Sequence, residues 1–400
     1  MTQFANMVYP MLTLILKQHY LMSAARISVV LAIDSAALLL ASYIGGKLAD
    51  AFNRKKVIVV LDLVSASLYL TGALIPFSKV DIVLIILAGA CQQAELASYN
   101  TLIDDFTNEE TIDKGYSNFY LFFNIGAFAS TALAGFLVTN YLRIVFIINS
   151  IGILSSTLLI AAALKVDKKT KPETGTKPET DTGFKPVLLA LRTLPVLVIF
   201  LLVKALWEPI HNEYSYLVPM ELDRILPEGG AEIYGTLVSF SCACVVLFTT
   251  LVTKLVHRYS VTAKIQLSNI AQGLGYVLVF VSVITDFIPL MYAGFLVYIV
   301  GEILDSVSYE TYIMENTPDE YKGRMYGIFS MTLKISVMIF NLLLGFLYDK
   351  SPYIAWAFMA AAVTGTVVLT CWLRIAESRK GTEDRSNGTR QDMSQGQIDA

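Results

Sequence analysis

Two carboxylates three residues apart, Glu302 and Asp305, lie inside an otherwise apolar run spanning roughly residues 287–316. At ~100° per residue they share a helix face with Tyr309, and Glu310 lies about 80° away. Carboxylates placed this way repel when both are ionised, and such a pair can take up a proton and release it again. Other apolar runs are interrupted in the same manner. Glu95 shares a face with Gln92 and Tyr99, Glu208 stands four residues after Lys204 and next to Trp207, and Asp34 and Asp62 occur singly. An ionised side chain at the centre of a bilayer costs about 3 kcal/mol or more, so each is a functional candidate by default.

A plainer role competes with each of these readings. Lys334 on the following helix would neutralise Glu302 or Asp305. Lys204 would pair with Glu208 one helical turn away. Glu95 would be a protonated, hydrogen-bonded packing residue. Trp207, with Tyr214 and Tyr216, would pack or sit at the interface rather than stack on a large cation. Asp34 and Asp62 remain ambiguous.

The elements that must carry these groups follow from composition. Hydrophobic residues make up 55% of the 400 and charged residues 16%, against roughly 25% charged in ordinary soluble chains. Mean hydropathy is +0.59, so lipid is the expected solvent. A net charge of −3 and a pI of 5.7 give no support to a nucleic-acid partner. The four cysteines fall in apolar runs without zinc spacing and read as small packing residues. No cleavable signal peptide is recognisable.

A spanning helix needs ~20 apolar residues. Segments of that kind fall at about 3–18, 26–48, 57–77, 80–104, 115–139 and 141–165. A second set falls at 193–219, 232–256, 262–284, 287–316, 323–348 and 352–375. The expectation is an all-α membrane protein of twelve transmembrane helices in two six-helix bundles, residues 1–165 and 193–375. A cytoplasmic linker, 166–192, joins the bundles, and a disordered tail covers 376–400. The first span is short, with only sixteen residues before Lys17, and suggests a start upstream of Met1. In the linker, Thr170-Lys171-Pro172-Glu173-Thr174 recurs as Thr176-Lys177-Pro178-Glu179-Thr180, with nothing apolar to bury.

With both termini cytoplasmic, the inner loops, linker and tail hold 22 of the 30 Lys and Arg residues, and the outer side holds six. Positive residues favour the cytoplasmic side, which gives the expected orientation in the cell membrane. An internal repeat supports the division into halves. Thr107-Asn108-Glu109-Glu110 recurs 210 residues later as Thr317-Pro318-Asp319-Glu320, and Thr253 to Ser260 stands 207 residues after the run that starts at Gly46. Transporters are often built from such repeats, with a substrate site between them.

The stretch Gly45 to Lys56 reads as a tight, charged loop between two apolar segments. Gly46-Lys47-Leu48-Ala49-Asp50-Ala51-Phe52-Asn53-Arg54-Lys55 resembles the Gly-x-Leu-Ala-Asp-Arg-x-Gly-Arg-Lys loop of the major facilitator superfamily. Ala51 and Asn53 depart from that pattern, and Asn53 is expected to keep the turn because Asn tolerates a left-handed backbone. Gly323, Arg324 and Gly327 resemble the family's loop into the eleventh helix. Cys244 to Thr250 and Val297 to Ile303 are similar to segments of lactococcal multidrug antiporters, and Asn53 to Lys56 with Asp62 are similar to macrolide exporters. The antiporter signature of the fifth helix has no proline here, in Gly126 to Gly135, and the usual arginine of the fourth helix is absent.

The resemblance implies a cavity lined by helices 1, 4, 7 and 10. The candidates for proton coupling and substrate contact are Glu302, Asp305, Glu95, Glu310, Gln92, Glu208 and Trp207. It also implies a cytoplasmic gate of Gly46, Asp50, Asn53, Arg54, Gly323 and Arg324, in which Asp50 meets the amino end of helix 11. His257 stands where the second half would carry the equivalent acid, so the gate should be asymmetric.

No nucleotide-binding loop, metal-ligand cluster or nucleophile–base set is evident, and an enzyme is not expected. The reading is a monomeric secondary transporter with no cofactor beyond a proton gradient, exporting amphipathic drug-like molecules by alternating access. Uptake of a small metabolite is the alternative, and a non-transporting receptor or assembly protein on the same scaffold is a third.

Overall fold

A computed structural model describes residues 2–106, 111–163, 195–317 and 322–396. The second parts of both repeat loops, Asn108 to Glu110 and Pro318 to Glu320, and the linker 166–192 lie outside the described residues, as does Thr107. Among the described residues the regular elements are all helical. In the first half they are α1 (Thr2–Ala5), α2 (Leu12–Gln18), α3 (Ala24–Ala51), α4 (Arg54–Leu74), α5 (Lys79–Phe106), α6 (Ile112–Val138) and α7 (Leu142–Ala163). In the second they are α8 (Pro195–Asn212), α9 (Leu217–Ile225), α10 (Gly230–Val256), α11 (Val261–Thr285), α12 (Ile288–Asn316), α13 (Lys322–Lys350) and α14 (Pro352–Gly396).

Ten of these helices are long and apolar enough to cross a membrane. The first and seventh expected spans are instead broken. The first consists of α1 and α2 around Asn6 to Met11, a stretch that contains Pro10. The seventh consists of α8, a 3-10 turn at Glu213–Ser215, and α9, with Pro209 inside α8. Proline removes a backbone donor and crowds the preceding turn, and in lipid the freed groups must find partners inside the protein. The backbone N–H groups of Met7 and Val8 donate to Asn149 Oδ1 on α7 at 2.9 and 3.3 Å. The shortness of the first span is therefore a break, filled from a neighbouring helix.

Three local expectations are corrected. The run from Gly45 is not a loop, because α3 continues to Ala51 and only Phe52 and Asn53 connect it to α4. Asn53 is not left-handed either. At φ −65° and ψ 118° it is extended, and its side chain accepts the Lys56 N–H at 3.2 Å as the N-cap of α4. Ser260 caps α11 in the same manner at the matching place in the second half. The tail expected to be disordered is also helical, since α14 runs on to Gly396. Adding turns to a helix already nucleated by its membrane span is easier than starting one, even with no apolar face to bury.

Within the first half α4 packs on α5 and α7, and α3 packs on α5. Within the second, α12 packs on α11 and α10, and α14 on α8 and α11. The halves meet through α3 with α13 and through α6 with α10. These contacts depend on glycine. A Cβ on Gly135 of α6 would lie 2.8 Å from the Ala231 carbonyl oxygen and 3.0 Å from the Cα of Gly235 on α10. A Cβ on Gly345 of α13 would collide with Ser28 of α3. Large apolar side chains such as Leu158 and Leu247, each 69% exposed, cover the outside, where lipid would surround them.

Candidate functional site

A cavity of about 550 Å³ opens in the first half. That is within the range of small-molecule sites. Gln3, Asn6 and Tyr9 reach it from the broken first span, Leu38 from α3, Gln92, Gln93, Glu95, Leu96 and Tyr99 from α5, and three phenylalanines from α6. With Ser156 of α7, its wall is drawn from the first, second, fourth, fifth and sixth spans; of the expected helices 1, 4, 7 and 10 only the first and fourth line it, and Glu302, Asp305, Glu208 and Trp207 are not among its lining residues. Phe119, Phe122 and Phe123 add aromatic surface to a lining that also carries carboxamides and an acid.

The polar groups around the cavity are held by neighbours. Tyr9 donates its hydroxyl to Asp34 Oδ1 at 2.8 Å, and Gln93 donates to Ser42 at 2.9 Å. Glu95 is 4% exposed and shares a hydrogen bond with Asp62 of α4, which is fully buried. Thr157 of α7 donates to Asp62 Oδ2 at 2.8 Å. Asp62 was ambiguous in the sequence because helix 3 reads as lipid-facing in the implied fold. The side that carries Asp62 packs on α5 and α7, inside the bundle.

The second half brings its charges together differently. Lys204 Nζ meets Asp305 Oδ2 at 2.6 Å and lies 4.7 Å from the centre of the Tyr309 ring. Lys204 is therefore engaged across to α12, not with Glu208 along its own helix, and it takes the neutralising role expected of Lys334. Glu302 interacts electrostatically with Tyr214, Tyr298, Cys242 and, across the boundary between halves, Tyr120 of α6. Tyr298 also lies within reach of Glu208 and hydrogen-bonds the His211 ring at 2.5 Å. Trp207, expected as a cavity residue, is 1% exposed within the apolar core and packs there. The Glu310 side chain lies outside what is described.

The first-half residues expected to form a gate stand at one end of the molecule, with Asp50 exposed near the end of α3. The side chains of Gly323's neighbour Arg324 and of the rest of that turn lie outside the described residues. A Cβ on Gly46 or on Gly327 of α13 would meet nothing within 4 Å, so neither glycine is in tight contact. At the opposite end the halves are joined. Asp349, at the end of α13, accepts the backbone N–H groups of Ala24 and Ala25 at 2.9 and 3.1 Å. Tyr216 donates to the Ala24 carbonyl at 2.8 Å, Gln18 to Asp223 at 2.8 Å, and Thr13 to the Ser215 carbonyl at 2.8 Å. Ser239 of α10 donates to the Phe128 carbonyl of α6 at 2.8 Å. Sequence reading passed over Asp349 and Glu221. Glu221 is fully buried and binds both Arg224, at 2.8 Å, and Tyr348, at 2.6 Å.

The sequence profile of the Major Facilitator Superfamily matches residues 2–332 and 229–396. Curated protein sequences give no significant match. Among solved structures, a mutant of peptide transporter POT in complex with sulfate superposes with a TM-score of 0.76 at 14% identity, over 94% of this chain and 92% of that one. A mutant of nucleoside transporter NupG gives 0.76 at 13% identity, over 93% and 97%. The POT family transporter PepTSo gives 0.71 at 14%, over 95% and 96%. At these identities the superpositions speak for the fold, and the profile match over nearly the whole chain places the protein in the Major Facilitator Superfamily.

Proposed function

We propose that this secondary transporter exports amphipathic, cation-bearing small molecules in exchange for protons. The observation that carries the reading is the composition of the cavity, whose lining combines three phenylalanines with a buried acid. Aromatic faces hold flat apolar bodies and attract cations, and a carboxyl at the wall selects positive charge. The cavity residues Leu38, Glu95, Phe119 and Ser156 all lie in the parts of their helices nearer the α3–α4 turn. The bonds that join the halves lie toward the other end. With both termini in the cytoplasm, as the Lys and Arg distribution expects, this arrangement is an inward-facing state that a cytoplasmic substrate enters. Asp50 and Arg54 then act in the opposite state, closing the cytoplasmic end against the start of α13.

Cells or vesicles loaded with ethidium test the proposal. Extrusion that stops when an uncoupler collapses the proton gradient supports it, and extrusion indifferent to the gradient defeats it. A second reading, uptake of a small polar metabolite, is favoured by Gln3, Asn6, Gln92 and Gln93 on the same wall. Accumulation of labelled dipeptides or nucleosides, with no movement of ethidium, would replace the first reading with this one.

A further inference from the structure

The two halves treat the same acid position in opposite ways. The 210-residue offset that relates Thr107 to Thr317 also relates Gln92 to Glu302, Glu95 to Asp305, Ser98 to Ser308 and Tyr99 to Tyr309. Glu95 and Asp305 are thus equivalent positions on equivalent helices, α5 and α12. Asp305 has a fixed cation, Lys204, at 2.6 Å. Glu95 has a second carboxyl, Asp62.

A carboxylate has no hydrogen to donate. Two carboxyl groups can share a hydrogen bond only when a proton lies between them. Asp62 Oδ1 and Glu95 Oε2 are buried and receive no donor from any other group. Asp62 is 0% exposed, and Glu95, at 4%, borders solvent only at the cavity. The groups acting on the pair are Thr157 from α7 and Cys91 from α5. Asp34, bonded to Tyr9, faces the same layer from α3, and Tyr69 lies further along α4. None of these is a cation. Two bare charges at this place would have nothing to offset them, whereas one proton leaves a single charge beside the cavity.

We propose that Asp62 and Glu95, steadied by Thr157, form the exchangeable proton site of this transporter, and that the Lys204–Asp305 pair is its permanently neutralised counterpart. The inference rests on the proton-exchange reading given above and assigns it to one half. Glu95 lines the cavity and Asp62 lies behind it. A monocation arriving at the cavity wall takes the place of the proton, which leaves through the cavity as hydronium. The charge of the pair together with its occupant is the same before and after. In the second half no such exchange is available, because the lysine travels with the protein.

The test uses the full-length protein in proteoliposomes, with ethidium as the substrate probe. Glu95→Gln and Asp62→Asn, made separately, should each lose gradient-driven ethidium transport. Infrared difference spectra between acid and neutral pH should show the carbonyl band of a protonated carboxylic acid in the parent protein and not in either variant. Thr157→Val should keep the band but shift its frequency. A band that persists unchanged in both variants puts the proton elsewhere and overturns the site, while leaving proton exchange itself intact. Parent transport that ignores the proton gradient would instead remove the underlying reading. A cooperative thermal unfolding transition in detergent like the parent's shows that a variant is folded, and a variant that lacks it is replaced by Asp62→Ser or Glu95→Met before the spectra are compared.

Discussion

Asp349 caps a helix that belongs to the other half of the protein: its carboxylate accepts the N–H groups of Ala24 and Ala25, the first two residues of α3. The run that ends in it, Gly345-Phe346-Leu347-Tyr348-Asp349, repeats the Gly-x-Leu-x-Asp spacing of Gly46-Lys47-Leu48-Ala49-Asp50. One run closes α13, the other closes the described part of α3 before its last residue, and the two helices pack on each other. Each aspartate therefore stands where it can meet the amino end of the partner helix, at opposite ends of the span. Here the Asp349 contact is made and Asp50 is exposed.

Replacing Asp349 by Ala should weaken this closure by about 1 kcal/mol, the usual value of a helix cap. That shifts the balance of states by about fivefold toward opening at this end. Spin labels at the exposed positions Arg26 and Lys350 report it, and an unchanged distance distribution would show that the cap does not hold the end closed.

Gly46 gives the complementary case. A side chain there meets open space in this state, so Gly46→Leu should change thermal stability by no more than about 0.5 kcal/mol. The same leucine would obstruct closure against α13, and ethidium transport should be lost. Full activity in this variant would place the closing contact elsewhere.

The Lys204–Asp305 pair is buried on the lysine side. Lys204→Met alone leaves a buried carboxylate without its cation and should destabilise the protein by about 3 kcal/mol. Lys204→Met with Asp305→Leu should recover most of that loss. Thermal unfolding in detergent measures both, and equal losses in the single and double variants would argue against a structural pair.

Asn149 is the one side chain bound to both freed donors of the first broken span. Asn149→Ala should cost about 1–3 kcal/mol through the donors it strands. Hydrogen exchange at Met7 and Val8 should rise in the variant, and unchanged protection there would mean that the break is satisfied in another way.

Much of this was legible in the sequence. The alternation of apolar runs and charged turns pointed to the all-helical membrane fold and to ten of its spans. Gln92 and Glu95 both line the first-half cavity, and their common face follows from helical spacing alone. The partners of these groups were not legible. Asp62 belongs to a helix that the implied fold turns toward lipid, and only packing of α4 on α5 brings it to Glu95. Lys204 had a nearer acid in sequence, Glu208, and chose a more distant one because α12 packs beside it. Pro10 and Pro209 were signals for the broken spans that apolar length concealed. Asn53 was correctly seen as a turn residue for the wrong reason, since its side chain caps a helix and its backbone is ordinary.

The close approach of Gly135 to Gly235 bears on how the two halves can move. Gly135 lies three residues from the end of α6 at Val138 and 23 from its start at Ile112. At ~1.5 Å per residue, the lever arm is about 5 Å on one side and about 35 Å on the other. A rotation about that point alone would swing the cavity end widely and hardly part the closed end. Under the proposed exchange of access between the two sides, the fulcrum would have to travel along α6 and α10, past Thr131 and Ser239, so that one half would roll on the other like a rocker on a floor.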